Sequence, residues 1–360
     1  MASICKLMRS SSLSWLLIIV ASSSLCGALR AHSVPKSEDS NSYRSIATKA
    51  SQLLATQTDT SESKQLLSVT QSMAGKHLVI AGKHPDLFDS HGFVRRGKYR
   101  GWGYLVAKLR EDGLQETLIR ALYEDHRMPR FTPIYFSPAP VEPKRIYRPF
   151  LSNSRIQIGI VCLRKYAQAF QTAEQTHGVD RFVTAAILLV ETQCGKNTGR
   201  SRILYRLSRL ASVLDPENIE RNLKRWKKED SSLTRTDLLQ RGRYLEKSFY
   251  PEIHALLEIG EQRNINVLEV RGSSAGAFGI SQFLPSSYLH FAVDGNGDEV
   301  VSLYTPADAI WSTANYLAQS GWHNELPENK QREVIWKYNR SQAYISTVLD
   351  IARILRSRLD

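Results

Sequence analysis

Glu191 has a setting that calls for a chemical explanation. It follows the run Ala185-Ala186-Ile187-Leu188-Leu189-Val190, which is apolar throughout. A carboxylate is costly to bury alone. Low dielectric favours the neutral acid and raises its pKa. A carboxyl that keeps its proton near neutrality can serve as a general acid. Gly195 and Gly199 follow at four-residue spacing and would let a backbone or a bulky ligand approach closely. On these residues alone a second reading stands beside the first: a glutamate at a helix end, paired with Lys196 or Arg200.

Three further segments carry groups suited to binding. Gly272 to Tyr288 reads GSSAGAFGISQFLPSSY. Its glycines and alanines imply tight packing against a backbone or a sugar. Ser273 and Gln282 offer neutral hydrogen-bonding groups that suit hydroxyl and acetamide recognition. The alternative is a tightly packed helical corner. Near the C-terminus, Tyr338-Asn339-Arg340-Ser341 leads to Tyr344. Between these, Asp294, Asn296, Asp298 and the Val300 carbonyl stand at alternate positions, as the oxygen ligands of a calcium loop do. Glu299 and Thr305 break the standard EF-hand pattern at its glycine and final glutamate positions. An acidic turn capping a hairpin is the other reading of that loop.

Taken together, ETQCGKNTG from Glu191, the Gly272 block, AVDGNGD from Ala292 and YNRSQAY from Tyr338 resemble the ordered motifs of the lytic murein transglycosylase B family. The stretch Pro306 to Trp322 resembles it as well, and the likeness runs from about Gly103 to Leu355. The resemblance implies a mainly α (α+β) fold, a lysozyme-like core with an added helical subdomain and a small metal-loop or hairpin. It implies cleavage of the β-1,4 bond between N-acetylmuramic acid and N-acetylglucosamine. It makes Glu191 the acid/base and Ser273, Gln282, Asn339 and Tyr344 cleft residues. It adds Asp308 as the last ligand of a structural calcium ion held with Asp294, Asn296, Asp298 and Val300. No cofactor is expected for the chemistry itself. Cys194 departs from the family, which carries an aromatic residue there; loss of that ring would alter a sugar subsite or the pKa of Glu191.

Ordinary glycosidases place two carboxyl groups about the scissile bond, and the matched motifs supply one. A lyase needs no second, because the muramic acid C6 hydroxyl is the nucleophile and closes a 1,6-anhydro ring. The competing readings are a hydrolytic muramidase and a non-catalytic wall-binding scaffold.

The elements that must hold these residues are mostly helical. Tyr104 to Leu122 fits two short helices interrupted near Gly113. The prolines between Pro129 and Pro149 predict an extended stretch. Ile156 to His177 reads as one long amphipathic helix ended by Gly178. Asp180 is a plausible N-cap for a buried helix from Arg181 to about Gln193. Leu204 to Leu214 and Arg235 to Glu261 also look helical, and Thr305-Pro306 reads as a helix start. Val300 to Tyr304 looks strand-like.

Of 360 residues, 42% are hydrophobic, enough for a sizeable core, and the formal charge is +13. That charge favours a polyanionic partner; nucleic acid, anionic lipid and the acidic bacterial wall all qualify, so charge does not choose among them. No compact Lys/Arg run resembles a nucleic-acid arm, so nucleic acid is not expected. The expected partners are peptidoglycan glycan strands, with peripheral association to the membrane or to wall-synthesis proteins. Only Cys162 and Cys194 lie outside the leader; they could pair in an oxidising compartment. Lys6 and Arg9 precede an apolar heart from Leu13 to Ala21 and a small-residue tail, the layout of a secretory signal peptide. An uncleaved anchor or lipidation at Cys26 is the lesser reading. The expected organisation is therefore signal peptide 1–28, flexible polar spacer 29–76 and catalytic domain 77–360, located in the bacterial periplasm or envelope. Cleavage is predicted near Ala28, so envelope-fractionated protein should begin near Leu29, with Lys6 and Arg9 removed; N-terminal sequencing that returns Met1 would replace cleavage by anchoring.

Overall fold

The computed structural model describes residues 99–359 apart from 141, 143–145 and 231. The leader, the spacer and the expected boundary at residue 77 lie outside the described residues. Helices dominate: α1 Gly103–Glu111, α2 Glu116–Tyr123, α3 Asn153–Lys165, α4 Ala167–His177, α5 Arg181–Thr192, α6 Ile203–Leu210, α7 Pro216–Glu229, α8 Arg235–Arg263, α9 Pro285–Phe291, α10 Pro306–Gln319, α11 Glu328–Tyr338 and α12 Gln342–Leu359. Two short strands, β1 Ser201–Arg202 and β2 Arg271–Gly272, pair antiparallel with Ser201 opposite Gly272.

The local signals explain where the central helix starts. Gly178 ends α4 in the left-handed region, at φ 63°. The Asp180 side chain then accepts from the backbone N–H groups of Phe182 and Val183, capping α5. Every residue of α5 from Phe182 to Thr192 is buried. Helices α3, α4, α10 and α12 pack around it. Its apolar side chains share a core with Ile160, Leu163, Ile345 and Val348. A second core gathers α1, α2, α6 and α8 around Leu105, Leu207, Phe249 and Ile253. Tyr316 and Tyr338 pack against both.

Three expectations are corrected. The stretch Ile156 to His177 is two helices, because Tyr166 leaves helical geometry at φ −115°, ψ 31°. Val300 to Tyr304 forms no strand; its carbonyls accept singly from scattered partners, Val301 from the Tyr288 phenol at 2.7 Å, Ser302 from the Thr305 N–H at 2.8 Å and Leu303 from the Ile280 N–H at 2.7 Å. Pro149 sits inside a 3-10 helix, Arg148–Leu151, rather than in an extended run.

The strand pair holds two of the sequence motifs together. Gly199 lies at φ +89°, and a Cβ there would fall 2.2 Å from the Gly272 carbonyl oxygen. Gly178 also has positive φ but open space around it. Gly199→Ala is therefore expected to destabilise by clash as well as strain, by about 1–3 kcal/mol beyond the cost of Gly178→Ala. Thermal melts of the two variants check this; equal losses would remove the close approach as the reason for glycine at 199.

Candidate active site

Glu191 occupies the last turn of α5, and the chain reverses directly after it. Gln193 and Cys194 both take φ 55°. Such left-handed residues are unfavourable for non-glycine side chains, and the turn is held by Thr192. Its hydroxyl donates to the Ile280 carbonyl at 2.9 Å and accepts from the Gly195 N–H at 2.9 Å. The end of α5 is thereby fastened to the Gly272–Tyr288 block. Gln282 makes a second fastening: its side-chain amide donates to the Thr198 and Gly279 carbonyls at 3.2 and 2.8 Å. The Tyr338 phenol donates to the Ser281 carbonyl, which brings in the YNRS segment.

Glu191 is 8% exposed, and Tyr344 donates its phenol proton to Oε1 at 2.7 Å. Neither Lys196 nor Arg200 forms an ion pair with it among the described residues, so the helix-end pairing is not what holds this side chain. Burial pushes the Glu191 pKa up from 4.5 to about 7, against the lowering effect of the Tyr344 hydrogen bond. The group therefore holds its proton over much of the neutral range, yet can also carry a negative charge there.

The other expected residues fall into three groups. Tyr344 reaches Glu191 directly. Asn339 is buried at the end of α11, and its Oδ1 has no hydrogen-bond partner. Such an orphaned acceptor is unusual inside a protein and is open to a ligand donor. Ser273 and Gln282 are partly committed to their own loops: the Ser273 hydroxyl accepts from the Ala275 and Ala277 N–H groups at 3.3 and 3.2 Å. Ser273 keeps its O–H to donate, and Gln282 keeps its carbonyl to accept.

The acidic loop is closed on its own backbone. Asp294 accepts from the N–H groups of Asn296, Gly297 and Glu299. Asp298 accepts from Val300 N–H and from the Asn296 side chain. Fully buried Asp308 accepts from Gly295 and Ser302. Burial, and then the charges of Asp294 and Asp298, push its pKa up. Among the described residues no three His, Cys, Asp or Glu side chains cluster as a metal site. The oxygen donors share one loop, but each carboxylate already has amide partners.

The structure also brings up residues that motif reading passed over. Tyr147 packs edge-on against the Tyr344 ring at 5.8 Å, and its buried hydroxyl lies beside Ser341 and Glu142 without a well-formed hydrogen bond to either. Burial and the charges of Glu142 and Glu191 raise its pKa. Glu142 accepts from the Ser341 hydroxyl. Both come from the proline-rich stretch, where proline spacing masks any other signal. Cys162 and Cys194 are free thiols. Their mutual hydrogen bond, then burial, pushes the Cys194 thiol up.

Against known proteins, residues 102–331 match the family described as Transglycosylase SLT domain. Membrane-bound lytic murein transglycosylase B of Escherichia coli (strain K12) is 33% identical over 178 residues, which cover 49% of this chain and 42% of that protein. The chain thus spans less than half the length of this curated relative. The lytic transglycosylase Slt35 of Escherichia coli in complex with bulgecin A superposes with a TM-score of 0.54 at 20% identity, over 78% of this chain and 99% of that one. Slt35 has also been solved in complex with calcium, with a TM-score of 0.52, 20% identity and the same coverage. SltB3 from Pseudomonas aeruginosa in complex with NAG-NAM-pentapeptide gives a TM-score of 0.52 at 18% identity, over 71% of this chain and 80% of that one. These likenesses give the chain the mainly helical, lysozyme-like fold of the lytic transglycosylases. With the family match extending over most of its length, the chain belongs to the transglycosylase SLT domain family.

Proposed function

We propose that this protein is a peptidoglycan lytic transglycosylase, and that Glu191 performs both proton transfers. The observation that carries the reading is the buried, phenol-bonded Glu191 carboxyl with a pKa near 7. In the protonated form it gives its proton to the glycosidic oxygen as the bond to muramic acid C1 breaks. As the resulting carboxylate it takes the proton of the muramic acid C6 hydroxyl while that oxygen bonds to C1. The products are a new N-acetylglucosamine alcohol and a 1,6-anhydromuramic end, and Glu191 regains its proton. Ser273, Gln282 and Asn339, with the hydrogen-bonding capacity left to each, orient N-acetyl and hydroxyl groups. That the similar SltB3 was solved with NAG-NAM-pentapeptide supports this substrate class. The site of action is the cell envelope, as the name of the membrane-bound relative suggests, with export through the signal peptide and peripheral contact with membrane or wall-synthesis proteins.

A hydrolytic reading has one observation in its favour: Glu142 is a second carboxylate close to the Tyr147–Tyr344 pair. Mass spectrometry of digested, purified peptidoglycan separates the two, since hydrolysis leaves a reducing end. Glu191→Gln preserves shape but neither donates a carboxyl proton nor accepts one. Its rate is expected to fall by roughly 10²–10⁴-fold or more, with binding to sacculi retained. Release of 1,6-anhydro products at near wild-type rate by this variant would assign the chemistry to another acid. Binding without activity in both proteins would leave a wall-binding scaffold.

The same substitution has a stability signature. The folded-state pKa of Glu191 is raised, so its contribution is fully present below about 4.5 and is lost as pH rises through about 7. Glu191→Gln should therefore gain melting temperature over wild type as pH rises through that window. Parallel melts across the range check it, and a constant offset would contradict the raised pKa.

For the acidic loop we propose a structural calcium ion held by Asp294, Asn296, Asp298, the Val300 carbonyl and Asp308, remote from the proton chemistry. The mutual repulsion felt at Asp308 and the calcium complex of Slt35 support it. Calcium should then raise the melting temperature, and Asp308→Ala should abolish the response. Wild-type melting that ignores both calcium and chelator would leave an acidic turn.

A further inference from the structure

Glu142 lies 199 positions before Ser341, yet both its carboxylate oxygens accept from the Ser341 hydroxyl, at 2.6 and 2.7 Å. A hydroxyl has one proton, so this is a single bond forked between the two carboxyl oxygens. With that proton turned to Glu142, the lone pairs of Ser341 Oγ face the first turn of α12. There Oγ accepts from the Tyr344 N–H at 3.0 Å. Ser341 immediately precedes α12, and Tyr344 is the third residue of the helix, so this is an N-cap bond. The Tyr344 phenol in turn donates to Glu191. An unbroken path of hydrogen bonds and one residue's covalent frame runs from Glu142 to the acid. The segment carrying Glu142 meets Tyr344 a second time, through the Tyr147 ring.

We propose that Glu142 is a positioning residue for proton transfer at Glu191, acting through Ser341 and Tyr344 and not on the substrate. The inference rests on the reading of Glu191 as the acid. It also separates Glu142 from the water-activating base of a hydrolase, because its two oxygens are already turned to Ser341. What Glu142 supplies is the direction of the Ser341 proton, and with it the seat of the α12 first turn. Losing that seat loosens the phenol on Glu191. Tyr344 is the one hydrogen-bond donor that lowers the Glu191 pKa, so loosening it moves the pKa upward. The titratable groups around Glu191 are the phenols of Tyr344 on α12, Tyr338 on α11 and Tyr147 before the 3-10 helix, all raised by burial. The Cys194 thiol, just beyond the end of α5, is raised as well. Glu191 is therefore the group of this set that changes charge near neutrality.

The test uses the full chain with Glu142→Ala, Glu142→Gln and Tyr344→Phe. The carboxyl titration of Glu191 is followed by ¹³C NMR, its signal identified by loss in Glu191→Gln. In parallel, the pH dependence of 1,6-anhydro product release from purified peptidoglycan is measured. Glu142→Ala should move the titration and the alkaline limb of the rate profile upward, in the same direction as Tyr344→Phe. It should also lower kcat on the order of ten- to a hundred-fold, as misplacement of a reacting group does. Glu142→Gln, whose amide oxygen still accepts from Ser341, should restore both to wild type. Wild-type titration and kcat in Glu142→Ala would overturn the proposal. So would a Glu142→Gln as impaired as Glu142→Ala, since charge would then be the operative feature. Should Glu142→Ala fail to fold, Ser341→Ala breaks the same link from the other side, with the same expected shift. If the titrations move as expected but no protein releases anhydro products, the positioning role stands and the transglycosylase reading fails.

Discussion

The burial of a carboxyl group without a countercharge is the constraint around which this molecule is arranged. An ionised carboxylate in that position would need a cation or several donors to be tolerated. Among the described residues, Glu191 has a single phenol instead. Its neutral form is therefore favoured by the interior itself, and the energetic penalty of charging it is shared with the fold. For that environment to exist, α5 must be enclosed on all sides, which α3, α4, α10 and α12 accomplish. The charge-poor centre of the domain and the chemistry of the acid are thus one property.

The candidate binding residues are tied to the end of α5 by fastenings rather than by an extended sheet. Thr192, Gln282 and the Tyr338 phenol each bond to a backbone carbonyl in or beside the motif loops. Backbone carbonyls are held by the whole chain path, so these bonds fix loop against helix without depending on another side chain's rotamer. The two-residue strand pair and the close approach of Gly199 to Gly272 complete the frame. Tyr316 and Tyr338, packed against both hydrophobic cores, join the frame to the remaining helices.

Local chemistry made much of this legible from sequence. Asp180 as a cap, Gly178 as a stop, Thr305-Pro306 as a start and the all-apolar face of α5 each act within a few residues, and all are found in place. The motif resemblance assigned Glu191 and Tyr344 to one cleft, and the Tyr344 phenol bonds the Glu191 carboxyl. What escaped reading depends on distant contact. The Glu142–Ser341 bond spans 199 positions and has no periodicity to reveal it. Val300 to Tyr304 has the β-branched composition of a strand, but its neighbours are a loop and a helix start, leaving no ladder to join. The break at Tyr166 is invisible to hydrophobic spacing because the apolar stripe continues across it. The commitment of Ser273 and the acidic side chains to their own backbone amides is likewise a matter of three-dimensional turn geometry.

The position of Glu191 in the last turn of α5 has one more consequence. Peptide dipoles along a helix leave the C-terminal end with partial negative charge. An acid lodged there feels a field that opposes its ionisation, in the same sense as burial. This contribution comes from backbone amides, which side-chain replacement leaves in place. The protonated state at 191 is thus partly insured by secondary structure, and the neighbouring position 194 can change from an aromatic ring to a thiol without removing that bias.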